Sequence, residues 1–241
     1  MRYENFNQIT KSIKKKAKEL ISGDSALIFK LKRVQGEPQV TILMTKLDTI
    51  SARMPDIEKR KFITRFSNII PNGAKDYIQE YNDQFNATLV ELLGWGWLKE
   101  RYPSYNPQFN HPQSPDLLVY DNDSEIIACM ECKHIRTSNE EREIFNRQSF
   151  RNGVVKLTTL YSLDESENPF LRKLKDTICK AEQQVNQSRT IEKFIFLNLS
   201  LDVAYMPFGI DSLIKCFESD LNNKGIKLHT FTQFSVDIPI T

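Results

Sequence analysis

The chain has 241 residues, 40% hydrophobic and 27% charged, with a formal net charge of +2. That length suits one large domain, or one domain with an accessory region, and buries roughly 70% of the unfolded surface without covalent staples. No stretch approaches the ~18 consecutive apolar residues of a membrane helix, the N-terminus lacks the apolar core of a signal peptide, and four cysteines do not make a disulfide scaffold in a chain of this size. A reducing cytoplasm is therefore the expected location. Eight glycines, none in a GxxxxGK[ST] or GxGxxG pattern, argue against a P-loop or Rossmann nucleotide site.

Along the chain, residues 5–21 read as a Lys-rich amphipathic helix with Ile9, Ile13, Ala17 and Leu20 on one stripe. Ala26–Lys32 and Val40–Thr45 read as two strands joined through Gln35-Gly36-Glu37-Pro38. Pro55, with Asp56 in the first turn, starts a helix running to about Ile70. Pro71-Asn72-Gly73 breaks the pattern, giving an expected accessory region, 1–73, and a core, 74–241. The accessory region carries basic clusters at Lys11–Lys18, Lys30–Arg33 and Lys59–Arg65, which suit a DNA contact, a dimerisation element or simply solvated helix faces.

The core opens with a long helix over 74–100, with Ile78, Tyr81, Phe85, Leu89 and Leu92 on one face. A Pro- and Asn-rich passage, 101–115, contains a short strand near Gln108. Asp116–Tyr120 and Glu125–Lys133 are strands, and the turn chemistry of Asp121-Asn122-Asp123-Ser124 joins them as a hairpin. Ser138 and Glu141 form a capping-box pattern for a short helix at 139–151. A strongly periodic helix follows over 169–188 (Leu171, Leu174, Ile178, Ala181, Val185), then a buried-type strand at 194–199, a helix at 210–222 and a last strand at 227–236. Helices interspersed with strands predict an α/β fold, a mixed central sheet flanked by helices.

The chemistry concentrates in Pro115-Asp116, fourteen residues, then Glu131-Cys132-Lys133. Strand side chains alternate faces, so Glu131 and Lys133 point the same way, roughly 6.6 Å apart along the chain. The hairpin is expected to bring Asp116 beside Glu131. Two neighbouring carboxylates repel, and a divalent cation relieves that repulsion; oxygen ligands of this kind suit Mg²⁺, with Mn²⁺ as a substitute. A lysine beside them can position a water and offset developing negative charge. The set suits hydrolysis of a phosphodiester.

This pattern resembles the PD-(D/E)xK motif of the nuclease superfamily that includes many restriction endonucleases, and the element order over residues 76–200 resembles its αβββαβ core. The resemblance implies that Asp116 and Glu131 are metal ligands, that Lys133 is the catalytic lysine, and that the protein is a Mg²⁺-dependent DNA endonuclease, of type II-like restriction or anti-phage kind. A homodimer is the expected assembly for cutting both strands, and a cognate methyltransferase encoded nearby is a candidate partner. The rivals are a repair or recombination nuclease, a non-catalytic nucleic-acid-binding module on the same fold, and an enzyme on an unrelated α/β fold.

Members of the superfamily often carry a glutamine on the helix after the lysine strand and an acidic residue on the first helix. At 100° per residue, Gln184 lies about 90° from the centre of the apolar stripe, whereas Gln183 lies nearly opposite it, so Gln184 is the candidate. On the first helix Glu91 is favoured, with Glu80 as the alternative; a solvent-facing glutamate is the competing reading for both. Arg136, Arg142, Arg147 and Lys180 are candidate DNA-backbone contacts. His111 and His134 flank the motif; they read as surface histidines, with contact to substrate or metal as the alternative. Cys129 and Cys132 are three apart on a strand and face opposite ways, which excludes a shared zinc. Trp95 is expected to pack at a helix end rather than stack on a base.

Overall fold

A computed structural model of the chain describes residues 4–5, 8–9, 11–12, 38–68, 78–136, 169–200 and 210–232. It is an α/β structure whose strands are of mixed orientation and are accompanied by helices. Two compact units divide within one strand, the first running to Ile127 and the second beginning at Ala128.

In the first unit, the described residues between 4 and 12 are helical, and Ile9 is buried as its stripe predicts. The strand expected at Val40–Thr45 is instead part of helix α1, Pro38–Arg53. Its short β-branched run resembles a strand locally. The apolar positions nevertheless continue at helical spacing through Leu47, Ile50 and Met54, all buried, and Pro38 suits the first helical position. The partner strand expected at Ala26–Lys32 lies outside the described residues. Helix α2, Asp56–Asn68, starts where expected: the Pro55 carbonyl accepts the first helical bond, from Lys59 N–H at 2.9 Å, and Asp56 and Glu58 occupy the first turn.

Helix α3, Ile78–Arg101, runs through the middle of this unit. Leu89 and Leu92 are buried as expected, but so are Val90, Leu93, Trp95 and Leu98, so over residues 86–98 the helix is covered on more than one stripe. Helices α1 and α3 cross closely at Gly96, where an added Cβ would stand 2.5 Å from Ile50 Cγ1 and Cδ1. Trp95 is fully buried and donates its indole N–H to the Pro107 carbonyl at 2.7 Å, a packing role.

Strands β1, Gln108–Phe109, and β2, Leu117–Tyr120, pair antiparallel, with Phe109 opposite Leu117. Helix α2 covers the free side of β1. Glu58, 2% exposed, accepts the Phe109 N–H at 2.8 Å, and Lys61 pairs with Glu58 at 2.8 Å while reaching the Phe109 carbonyl at 3.5 Å. Both outward groups of the strand thereby find partners. After β2, Asp121 Oδ1 accepts the N–H groups of Asp123 and Glu125, each at 2.9 Å, and Ser124 takes a positive φ of 64°. The expected turn is formed, and it leads into β3, Ile126–Arg136.

In the second unit, β3 and β5 (Ile226–Thr232) flank β4 (Glu192–Ser200), all three parallel. A strand with parallel neighbours on both sides and helices over its faces should be apolar throughout, and Phe194, Ile195, Phe196 and Leu197 are all buried. Helix α4, Pro169–Val185, precedes β4, and its stripe of Leu171, Leu174, Ile178, Ala181 and Val185 is buried at every position. Helix α5, Ile210–Asn223, connects β4 to β5 and ends at Gly225, whose φ of 73° suits a left-handed stop. The helix expected at 139–151 lies outside the described residues.

Candidate metal centre

The first unit gathers three ligand-type side chains from three separate places in the sequence. Asp116 directly precedes β2. Its carbonyl accepts the Asn110 N–H at 2.9 Å, and Asn110 Nδ2 donates to the Pro115 carbonyl at 3.0 Å. These bonds close the loop 110–116 on itself and return His111 toward Asp116. Glu91 comes from the buried middle of α3. The result is that His111 Nε2 lies 3.3 Å from Glu91 Oε2 and 3.4 Å from Asp116 Oδ1. One ligand atom from each of the three residues falls within 4.8 Å of the others, and among the described residues this is the group able to converge on an ion.

The carboxylates are well shielded: the Glu91 side chain is 3% exposed and that of Asp116 10%. Charge compensation reaches them from α2, where the Arg65 guanidinium pairs with Glu91 Oε2. Burial, reinforced by the positive charge of Arg65 and only partly opposed by Asp116, lowers the His111 pKa to about 4. The imidazole is therefore neutral at physiological pH, the form that ligates metals. Two carboxylate oxygens and one imidazole nitrogen make a donor set that fits Mn²⁺ and its neighbours as well as Mg²⁺.

Glu91, expected as the acidic residue of the first helix, thus lies with Asp116, while the side chain of the alternative, Glu80, lies outside the described ones. His111 lies on the surface, as its sequence reading has it, and it also joins the two carboxylates as the third ligand-type group, the metal contact that the reading holds as the alternative. Its side chain remains 30% exposed, but its Nε2 faces inward onto two carboxylates. A loop histidine five residues before the motif aspartate was the available signal. The convergence itself depends on loop closure, which has no periodic signature.

In the second unit, Glu131 and Lys133 share a face of β3 as alternation requires, and Lys133 Nζ donates to Glu131 Oε1 at 2.6 Å. Glu131 is 1% exposed, and the ammonium beside it provides the positive charge that a buried carboxylate needs. One step further along β3, His134 Nδ1 meets Asn198 Nδ2 at 3.2 Å, joining β3 to β4 through side chains; this histidine is also not an ordinary surface one.

Gln184 is half-buried on α4 and Gln183 exposed, in keeping with their angular positions. The neighbouring Val185 carbonyl accepts the Cys129 S–H at 3.7 Å, which ties the end of α4 to β3. Burial pushes the Cys129 thiol up to about 12, leaving it an unreactive packing group. Lys180 is exposed on α4, and Arg136 ends β3. Arg142 and Arg147 lie outside the described residues.

Comparison of the chain with protein-family models, with curated proteins and with solved structures gives no match. Among the described residues, no helix is long and apolar enough to cross a membrane.

Proposed function

We propose that the protein is a metal-dependent endonuclease that hydrolyses DNA phosphodiester bonds, a restriction or anti-phage enzyme with a PD-(D/E)xK-type site. The observation that carries this reading is the meeting of the motif aspartate, Asp116, with Glu91 and His111, the two carboxylates buried and the histidine exposed. Asp116, Glu91 and the neutral His111 would hold Mg²⁺ or Mn²⁺, with Glu131 as the further carboxylate named by the motif. The bound ion would lower the pKa of a water and offset charge on the phosphate. Lys133, which donates to Glu131, is the lysine that the motif names for orienting a water and stabilising negative charge in the transition state. Gln184 is the proposed glutamine of the catalytic set, and Arg136, Arg142, Arg147 and Lys180 are the proposed contacts to the nucleic acid.

The test is cleavage of supercoiled plasmid and bacteriophage DNA with Mg²⁺, Mn²⁺ or EDTA. Discrete bands are expected with either ion and none with EDTA. Asp116→Ala and Lys133→Ala should each lower the rate by roughly a hundredfold or more, the usual cost of losing a positioned acid–base or charge-stabilising group. Activity that survives both substitutions would reject the site. DNA binding that weakens with salt, without cleavage, would favour the binding module.

A further inference from the structure

The basic cluster of α2 divides by direction. Arg60 is exposed, whereas Lys61 turns to Glu58 and Arg65 turns to Glu91. Arg65 therefore performs a task internal to the first unit. Glu91 and Asp116 are two buried carboxylates in one cluster, and the guanidinium of Arg65 is the positive charge that pairs with it. It holds Glu91 Oε2, the oxygen that also faces His111 Nε2 and that an ion at this centre would use.

A guanidinium and a divalent cation drawn to the same oxygen repel each other across it. We infer that Arg65 is a resident counter-ion of the centre, displaced from Glu91 when a divalent cation binds. The inference rests on the metal-centre reading above. Linkage then fixes the sign: whatever the Arg65–Glu91 pair contributes to the metal-free protein is subtracted from the affinity for the ion. Displacement also leaves a forked donor beside the ion, the group best shaped to take a phosphate oxygen of the substrate. Arg65 would exchange a carboxylate partner for a phosphate partner as the site loads.

The experiment is calorimetric titration of the full chain with Mn²⁺, in the absence of DNA, for the wild type, Arg65→Gln, Arg65→Lys and Glu91→Gln. Arg65→Gln removes the competing charge and should bind Mn²⁺ about tenfold more tightly, within the usual range of coupling between sites. Arg65→Lys keeps the charge but loses the fork, and should show a smaller gain of the same sign; it carries the test if Arg65→Gln does not fold. Glu91→Gln should bind at least tenfold more weakly. Thermal unfolding supplies a second readout: Arg65→Gln should melt lower than wild type in EDTA and gain more from Mn²⁺. Equal or weaker affinity in both Arg65 variants, with binding still dependent on Glu91, would overturn the counter-ion role and leave the metal centre standing. Absence of Mn²⁺ binding in the wild type and both Arg65 variants, or binding indifferent to Glu91→Gln, would overturn the metal centre and this inference together.

Discussion

His111 shows how one side chain couples the centre to pH. Its folded pKa, about 4, lies below the ordinary histidine value of 6.5 because burial and Arg65 disfavour the charged ring. The unfolded chain therefore binds a proton between these values that the folded chain refuses. Stability contributed by keeping the ring neutral is fully present above pH 6.5 and is lost as pH falls toward 4. In EDTA, the wild type should lose more stability than His111→Asn between pH 7 and pH 4.5, measured by urea denaturation, and the His111 ring should titrate near pH 4 by NMR. A ring titrating near 6.5 would contradict the shielding described for this residue. The same residue shows where sequence reasoning stops. Glu91 and Asp116 are legible because one lies on a periodic helix and the other in a recognisable motif. His111 joins them through the Asn110–Asp116 closure, a contact with no pattern in the sequence.

At the scale of elements, legibility follows the regularity of the buried face. The α4 stripe over Leu171–Val185 and the apolar run of β4 each have one unambiguous period, and both form as read. Helix α1 departs from the strand expected at Val40–Thr45: those six residues suit a strand, and the helical period becomes visible only when Leu47, Ile50 and Met54 are counted with them. Helix α3 reads as a single stripe, whereas its residues 86–98 are covered on more than that stripe, and Gly96 lets α1 approach there. The two contacts at 2.5 Å that a methyl group would make with Ile50 cannot be absorbed without moving that buried side chain. Gly96→Ala should therefore destabilise the protein by about 1–3 kcal/mol, despite the better helix propensity of alanine. Chemical denaturation measures this directly, and Ile50→Val in the same chain should recover part of the loss.

For the molecule as a whole, the sequence divided the chain at Pro71–Gly73, assigning the preceding residues to an accessory role. Helix α2 complicates that division, because Glu58, Lys61, Phe62 and Arg65 all work on the strand and the site of the first unit. Phe62 packs against Phe109 with ring centroids 5.6 Å apart. A charge run can be counted from sequence, but which of its members turn inward depends on partners that lie dozens of residues away. Assembly belongs to this scale too. If the enzyme cuts both strands of a duplex, two sites are needed, and light scattering should give about twice the chain mass of 28.1 kDa. A single-chain mass at working concentration would instead favour nicking of one strand at a time.

The pairing of Glu58 and Lys61 with the two outward groups of Phe109 has a consequence for solubility and assembly. A carboxylate accepts and an ammonium donates, as the backbone of a neighbouring strand would, so two side chains impersonate a missing ribbon. The border of β1 is thereby closed to strand addition, whether by an unfolded segment, a peptide or another copy of this chain. Self-association by strand addition must use a border other than that of β1, and the loop that carries His111 starts from a border already sealed.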